Sequence, residues 1–191
     1  MAEFPKEYFS NMKTLKSVAV FCGGRLGNHA AFQEAAIALA QALVEQHIRL
    51  IYGGGRVGIM GVLADAMLAR GGQVIGVIPQ FLVDKEIAHE KTELHIVQSM
   101  HERKALLYQL ADGFILLSGG LGSLDEFFET MTWNALNLHQ KPCGILNTQA
   151  FYDRLLAFLD HATAAEFIPE ANRKKIIAAT DATQLLSKMM S

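Results

Sequence analysis

The residues best suited to chemistry lie in one short stretch, residues 118–126, which reads SGGLGSLDE. It follows an apolar run at residues 114–117 and opens a helical pattern. A strand that leads through glycines into a helix is typical of an anion site, because bare backbone N–H groups can approach the anion and the helix dipole attracts negative charge. The stretch therefore favours a phosphate. Its turn carries Gly119, Gly120 and Gly122, and the Ser123 hydroxyl lies at the helix start.

The carboxylates of this stretch have two interpretations. Ser123 and Glu126 show the S-x-x-E spacing of a capping box, in which they cap the helix and do nothing else. Acidic residues such as Asp125 and Glu126 also suit a helix N-terminus without any function. Alternatively, a carboxylate within one turn of a phosphate loop would lie beside the sugar of a bound nucleotide. There Glu126 would stabilise an oxocarbenium-like transition state or activate a water molecule.

Arg103 is a basic residue in an unusual place. Helical spacing puts it on the apolar face of its predicted helix, in line with Leu106, Leu107 and Leu110. It could clamp a phosphate or pair with Glu126. Equally, its side chain could lie along the core with the guanidinium in water. Lys104, the next residue, is expected to be solvated.

Two other glycine turns follow predicted strands, at residues 23–28 and 53–58. Gly53, Gly55 and Gly58 fit the dinucleotide fingerprint G-x-G-x-x-G. The match is weak, because the turn follows the second strand and the next strand ends at residues 78–80 without an acid for the ribose. The turn either packs a helix tightly on a strand or helps to wall the phosphate pocket. The candidate wall residues are Gly23, Gly24, Gly53, Gly54 and Gly55.

Short apolar runs alternate with helical patterns along most of the chain. This alternation predicts a single doubly wound, Rossmann-like α/β domain over residues 17–191, preceded by an arm at residues 1–16. We expect a parallel sheet of about six or seven strands with helices on both faces. The glycine turns should share the edge formed by the carboxyl ends of the strands. Strands are assigned to residues 18–22, 49–52, 74–78, 94–97, 114–117 and 143–146, and the chain beyond residue 150 is expected to be helical.

The composition and the charge of the chain argue against several classes of function. The net charge of −2 gives no basic field for nucleic acid. No apolar run of about 18 residues exists to span a membrane, and the N-terminus lacks a signal-peptide core, so we expect a cytoplasmic protein. Cys22 and Cys143 lie in apolar runs and are expected to be buried thiols. The seven histidines are scattered without zinc-ligand spacing, so no metal is expected.

The chain resembles the Lonely Guy family of cytokinin-activating phosphoribohydrolases, whose bacterial members often carry the label lysine decarboxylase. The family signature, PGGxGTxxE preceded by MxxRK, corresponds to residues 118–126 and 100–104. The resemblance extends over roughly residues 17–180. It includes VFCGG at 20–24, YGGGRVGIMG at 52–61, GVIPQFL at 76–82 and ILN at 145–147.

This resemblance implies hydrolysis of the N-glycosidic bond of a nucleoside 5′-monophosphate, such as AMP or an N6-modified AMP, to free base and ribose 5-phosphate. It implies no cofactor and a homodimer or larger homo-oligomer. Arg103 and Glu126 would be the catalytic pair. Substrate and phosphate contacts would come from Glu86, Met100, Lys104, Gly119, Gly120, Gly122, Ser123, Asp125 and Thr132.

The chain departs from the family pattern at three places. Ser118 replaces a proline, Ser123 replaces a threonine, and Gly23-Gly24-Arg25 replaces a glycine-serine-serine turn. A non-catalytic carrier of a nucleotide or of the molybdenum cofactor on the same fold is the alternative function, although a carrier has no need of the Arg103–Glu126 pair. An amino-acid decarboxylase would need a pyridoxal lysine in a dedicated site. The sequence does not fix the base.

Overall fold

The computed structural model describes residues 15–85 and 87–191. Within them lies a seven-stranded sheet in which all neighbouring strands are parallel. Their order across the sheet is β4-β3-β2-β1-β5-β6-β7. In chain order the strands are β1 (Ser17–Phe21), β2 (Arg49–Tyr52), β3 (Val74–Pro79), β4 (Glu93–Val97), β5 (Gly113–Leu116), β6 (Cys143–Leu146) and β7 (Ile176–Ala179).

Helices connect the strands and cover the sheet. The long ones are α1 (Ala30–Glu45), α2 (Gly58–Leu68), α4 (Met100–Leu110), α5 (Leu121–Ala135), α6 (Asp153–Ala164) and α8 (Ala182–Met190). Two single-turn helices are α3 (Gln80–Val83) and α7 (Glu170–Arg173), and a 3-10 turn spans Thr148–Ala150. Helix α3 directly follows β3.

Strand β1 shows how the sheet is covered on both faces, because all five of its residues are buried. Val18 and Val20 pack with residues of α1, α2 and α8 on one side. Ala19 and Phe21 pack with residues of α4 and α5 on the other. Successive side chains of a strand point to opposite faces, so an uninterrupted apolar strand needs helices on both. The predicted doubly wound α/β fold is confirmed.

The chain changes direction across the sheet between β1 and β5, which are neighbours at its centre. Ligands of such sheets bind where two adjacent strands send their connections to opposite sides. Pairing continues beyond the strand ends here, since Leu117 N donates to Phe21 O at 2.9 Å and Gly23 N donates to Ser118 O at 3.1 Å. The two glycine turns therefore lie side by side at one edge, as predicted.

Some expectations need adjustment. The six assigned strands are present, but β7 lies in a segment expected to be helical. It is a four-residue edge strand, mostly half-buried, and so gives a weak pattern. Of the predicted arm, residues 1–14 lie outside the described residues, whereas Leu15 packs into the core. Cys22 and Cys143 are buried free thiols. Across the described residues, no helix combines the length and apolar character needed to cross a bilayer.

Candidate active site

Two glycine loops meet at the centre of the carboxyl edge. A β-carbon on Gly119 would overlap Ser123 Oγ and lie 3.0 Å from Gly23 N. One on Gly23 would lie 3.3 Å from Ser118 O. Glycine is therefore required by close approach of one backbone to another. The contact fixes the first loop against the N-terminus of α5, where the amides of the first turn have no intrahelical acceptor.

The glycine turn at residues 53–58 packs against the glycine turn at residues 23–28. Ile59 N donates to Gly23 O at 2.9 Å, and a side chain on Gly58 would overlap the backbone of Gly24. The tight-packing interpretation of the fingerprint therefore describes Gly58. Gly53 instead leaves space for Arg103, since a β-carbon on Gly53 would overlap the Arg103 guanidinium. Gly54 and Gly55 pack against Ile78 and Met60.

A cavity of about 410 Å³ opens between the glycine loop that follows β1 and the glycine loop that follows β5. Among the described residues that line it, Arg25 is the basic one, and the edge-on rings of Phe32 and Phe151, with centroids 5.5 Å apart, form an aromatic wall. The predicted wall residues Gly23 and Gly24 line it, whereas Gly53, Gly54 and Gly55 do not. The full lining is Gly23, Gly24, Arg25, Leu26, Gly27, Phe32, Ile59, Ser118, Gly119, Gly120 and Phe151.

Arg103 and Glu126 form an ion pair between α4 and α5, on the other side of the glycine loop. Arg103 Nη1 donates to Glu126 Oε1, and Arg103 Nε donates to the carbonyl of Val77 at 3.1 Å. Arg103 is only 9 % exposed, so the interpretation with its guanidinium in water is wrong. A buried pair of this kind depends on good geometry and further hydrogen bonds, and Val77 supplies one.

The capping-box interpretation is also wrong. Helix α5 begins at Leu121, its N-cap is Gly120, and no side chain caps it. The helix therefore starts two residues before Ser123, because the glycine turn itself supplies the extended cap residue. Glu126 is left free to bind Arg103, and the buried Ser123 hydroxyl lies against Gly119.

Cys22 and Ser118 lie beneath the two loops. Burial raises the pKa of the Cys22 thiol strongly, Glu126 raises it further and Arg103 opposes the rise, which puts this thiol close to the ion pair. Cys22 is therefore a neutral thiol beside the charged pair. Ser118 Oγ is buried and has no hydrogen-bond partner within the described part of the chain.

Several other predicted residues lie apart from the cavity. Lys104 Nζ binds Asp125 at 2.9 Å and Glu129 at 3.3 Å, and the hydrogen bond to Asp125 raises the lysine pKa most. The exposed Thr132 donates its hydroxyl to Phe128 O at 2.7 Å. Met100 is the partly exposed first residue of α4. Glu86 lies outside the described residues. In the described ranges no three metal-ligating side chains converge.

Sequence reasoning missed the aromatic wall. Phe32 lies in the first turn of α1 and Phe151 follows the 3-10 turn after β6. Phe151 had a usable signal, because an apolar ring shortly after a strand end belongs to the carboxyl edge of the sheet. Phe32 had none, since its position also fits the core-facing stripe of α1.

A family model described as "Possible lysine decarboxylase" matches residues 60–189. A protein of Rhodococcoides fascians named "Cytokinin riboside 5'-monophosphate phosphoribohydrolase" is 47% identical over 170 residues, which cover 88% of this chain and 86% of that one. A protein of Oryza sativa subsp. japonica with that activity in its name is 44% identical over 175 residues, covering 91% of this chain and 72% of that one.

Solved structures with the same fold are more distant in sequence. The molybdenum cofactor binding protein of Rippkaea orientalis superposes with a TM-score of 0.69 at 19% identity, covering 92% of this chain and 97% of that one. A Moco carrier protein of Chlamydomonas reinhardtii gives 0.64 at 18% identity, with 90% and 98% covered. At such identities the likeness shows the fold alone.

Proposed function

The chain belongs to the family of the cytokinin riboside 5′-monophosphate phosphoribohydrolases, which the "possible lysine decarboxylase" model also describes, and from this membership we propose its reaction. It hydrolyses the N-glycosidic bond of a nucleoside 5′-monophosphate to a free base and ribose 5-phosphate. The preferred substrates are AMP or an N6-modified AMP such as a cytokinin riboside 5′-monophosphate. The observation that carries the proposal is the buried Arg103–Glu126 pair beside a glycine loop and a helix N-terminus.

The phosphate binds first in this proposal. Gly119, Gly120, Gly122 and the Ser123 hydroxyl supply the phosphate site, because the first-turn amides of α5 are free to donate and the helix dipole attracts an anion. Held there, the phosphate fixes the ribose over the next turn of the same helix. Glu126 is in that turn, three residues after Ser123.

Glu126 acts on the sugar. Its carboxylate stabilises the positive charge that develops on the ribose as the bond to the base breaks, or activates the attacking water. Arg103 is bonded to both Glu126 and Val77 O, so it orients the carboxylate and provides the counter-charge that a poorly solvated carboxylate needs. Met100 and Glu86 are secondary substrate contacts in the proposal. Thr132 is at most an indirect one.

We assign Lys104 and Asp125 to the same site as indirect contributors. Their ion pair joins α4 to α5, the two helices that carry Arg103 and Glu126. The protein is further proposed to work in the cytoplasm as a homodimer or larger homo-oligomer. Buried free thiols suit a reducing compartment, and exposed Leu136 and Leu138 at the end of α5 suit a contact between copies.

The rival functions have less support. Fold neighbours with molybdenum-cofactor titles speak to the fold alone, and a carrier does not need the Arg103–Glu126 pair. A decarboxylase needs a lysine that can become neutral and form a Schiff base. Lys104, the lysine next to Arg103, is held by two carboxylates that raise its pKa, which is opposite to that requirement.

The test is the Glu126→Gln variant, incubated with AMP, N6-isopentenyl AMP and CMP while released base is measured by chromatography. We expect kcat to fall by about 10²–10⁴-fold, as for loss of an acid–base group. AMP affinity, measured by calorimetry, should stay within about threefold, because the phosphate site is intact. The matched control is Glu129→Gln, three residues further along α5, whose carboxylate pairs with Lys104.

Two results would redirect the proposal. A Glu126→Gln variant with the wild-type rate would remove Glu126 from the mechanism. A wild-type protein that binds AMP in a thermal-shift assay but releases no base from any of the three nucleotides would favour the carrier function.

A further inference from the structure

A second cavity lies at the opposite edge of the sheet, at the amino ends of β6 and β7. Its volume is about 380 Å³, which is within the usual range for small-ligand sites. The ends of α5 and α8 complete its wall. The lining residues are Asn134, Asn137, Gln140, Lys141, Pro142, Lys174, Lys175, Ile177, Lys188, Met189 and Ser191.

The lining residues in the described part of the chain include four lysines and no aspartate or glutamate. Lys174 has a partner, because its ammonium binds Glu170 at 2.7 Å. Among the described residues, the other three ammonium groups donate hydrogen bonds to backbone carbonyls. Lys141 Nζ donates to Tyr108 O at 2.7 Å, Lys175 Nζ to Asn134 O at 3.1 Å and Lys188 Nζ to Ala178 O at 3.3 Å.

Lys175 and Lys188 keep donors and charge for a ligand. An ammonium group has three N–H donors, and each of these two lysines uses one on a neutral oxygen. Lys141 is held more closely, because it also lies over the ring of Tyr108; burial lowers its pKa and the Asp112 carboxylate opposes that change. Burial lowers the pKa of His139, its hydrogen bond with Thr130 O opposes this, and the charges of Lys141 and Lys175 lower it further.

Asn134 supplies an independent sign of a ligand. It is only 4 % exposed, and its Nδ2 donates to Lys141 O at 3.2 Å. Asn134 lines the cavity, and its Oδ1 is buried without a hydrogen-bond partner among the described residues. Buried polar atoms are nearly always partnered, and an amide oxygen can only accept. The missing partner is therefore a hydroxyl or amine donor.

We infer that this cavity binds a small phosphate monoester that carries hydroxyl groups, with Lys175 and Lys188 on the phosphate and Asn134 Oδ1 accepting from a hydroxyl. A phosphate dianion suits a cavity wall that carries several lysines better than a single carboxylate does. The inference is independent of the proposed reaction, because no residue of the glycine loops lines this cavity. Helix α5 nevertheless joins the two sites, since Glu126 and Asn134 are both on it.

The test is a titration of the ¹⁵N-labelled full chain, followed by two-dimensional NMR, with ribose 5-phosphate, inorganic phosphate and ribose as probes. Any affinity tag is kept away from Ser191, which lines the cavity. We expect saturable shifts at the amides of Lys175, Ile177 and Lys188 with ribose 5-phosphate, weaker binding of inorganic phosphate and no shift with ribose. Shifts at residues 119–123 report the proposed active site separately.

Lysine variants distinguish a specific binding site from a general attraction of the phosphate to positive charge. Lys175→Met with Lys188→Met should weaken ribose 5-phosphate binding at this cavity by more than about tenfold, the loss of two charge-assisted contacts. It should leave the shifts at 119–123 unchanged. Lys174→Met is the matched control, because its ammonium is already held by Glu170. Equal weakening in both, or no saturable shift up to about 10 mM ligand, would overturn the inference. Equal affinity for inorganic phosphate would remove the Asn134 contact.

Discussion

The two edges of the sheet hold their charges differently. At the carboxyl edge the buried cation has an anionic partner within the protein, Arg103 with Glu126, and Lys104 nearby has two. At the amino edge the described hydrogen bonds of Lys141, Lys175 and Lys188 go to carbonyl oxygens. In the first arrangement each cation is already paired, as suits a site in which the carboxylate must be oriented before the substrate arrives. The second has its positive charge still available to an anion from outside.

Burial explains why the difference matters energetically. A charge largely removed from water needs a partner in the fold, whereas a half-exposed lysine can be left to solvent or ligand. Removing one charge should therefore be costly at the first edge and mild at the second. The predictions below test how tightly the first edge holds its charges and loops, from the largest expected effect to the smallest.

Arg103→Met is expected to have the largest effect. It leaves the Glu126 carboxylate, 13% exposed, without a counter-charge and removes the hydrogen bond to Val77 O. Breaking a buried pair by removing one partner costs about 3–5 kcal/mol, so the free energy of unfolding should fall by that amount in a urea titration. Hydrolysis of AMP should be lost as well.

The double variant Arg103→Met with Glu126→Leu sharpens this result, because it removes both charges together. It should recover most of the lost stability without recovering activity, since apolar replacements of a buried pair are often tolerated. If Arg103→Met unfolds at the wild-type urea concentration, the pair is not essential to the fold and the contrast between the edges fails.

The parts of the site that could be predicted from sequence depend on local pattern. Short stretches of sequence are enough to recognise the glycine loop between β5 and α5. The same is true of the alternation of strands and helices that gives a doubly wound sheet. The pairing of Arg103 with Glu126 was one of two possibilities, because an apolar helix face limits where an arginine can point. The start of α5 was predicted wrongly. The S-x-x-E spacing favoured Ser123 as the cap, whereas the N-cap is Gly120.

The parts that could not be predicted need residues distant in sequence to meet. The lysines of the second cavity come from segments before β6, before β7 and on α8, and no spacing relates them. Phe32 and Phe151 meet across a similar separation. Strand β7 was missed because a short, half-buried edge strand lacks the continuous apolar run that marks β1 and β5.

Gly119→Ala is expected to have an intermediate effect. Its β-carbon would overlap Ser123 Oγ and press on Gly23 N, so the two loops must move apart. Overpacking of this kind costs about 1–3 kcal/mol, and AMP binding should weaken with it because the phosphate site is distorted. Gly122→Ala is the control, since nothing lies within 4 Å of the added methyl.

In the ligand-free protein Gly122→Ala should be neutral or stabilise α5 by up to about 1 kcal/mol, because alanine favours a helix over glycine. Thermal unfolding without AMP measures the change in stability, and the additional shift on adding AMP measures the change in binding. Equal destabilisation by both alanines would mean that the loops are not held by close approach at Gly119.

Lys104→Met should have the smallest effect and decides what this lysine does. Lys104 is itself mostly buried, but Asp125 is 63% exposed, and ion pairs near the surface contribute about 0–1 kcal/mol. We expect the free energy of unfolding to fall by an amount of that size. The effect should be smaller in 0.5 M salt, because the Debye length there is only about 4 Å. If Lys104 only joins α4 to α5, KM for AMP should change by less than about threefold. A rise in KM above about tenfold, with stability unchanged, would instead put Lys104 on the phosphate. The charges of the carboxyl edge would then be partly available to the ligand, and the two edges would differ in degree rather than in kind.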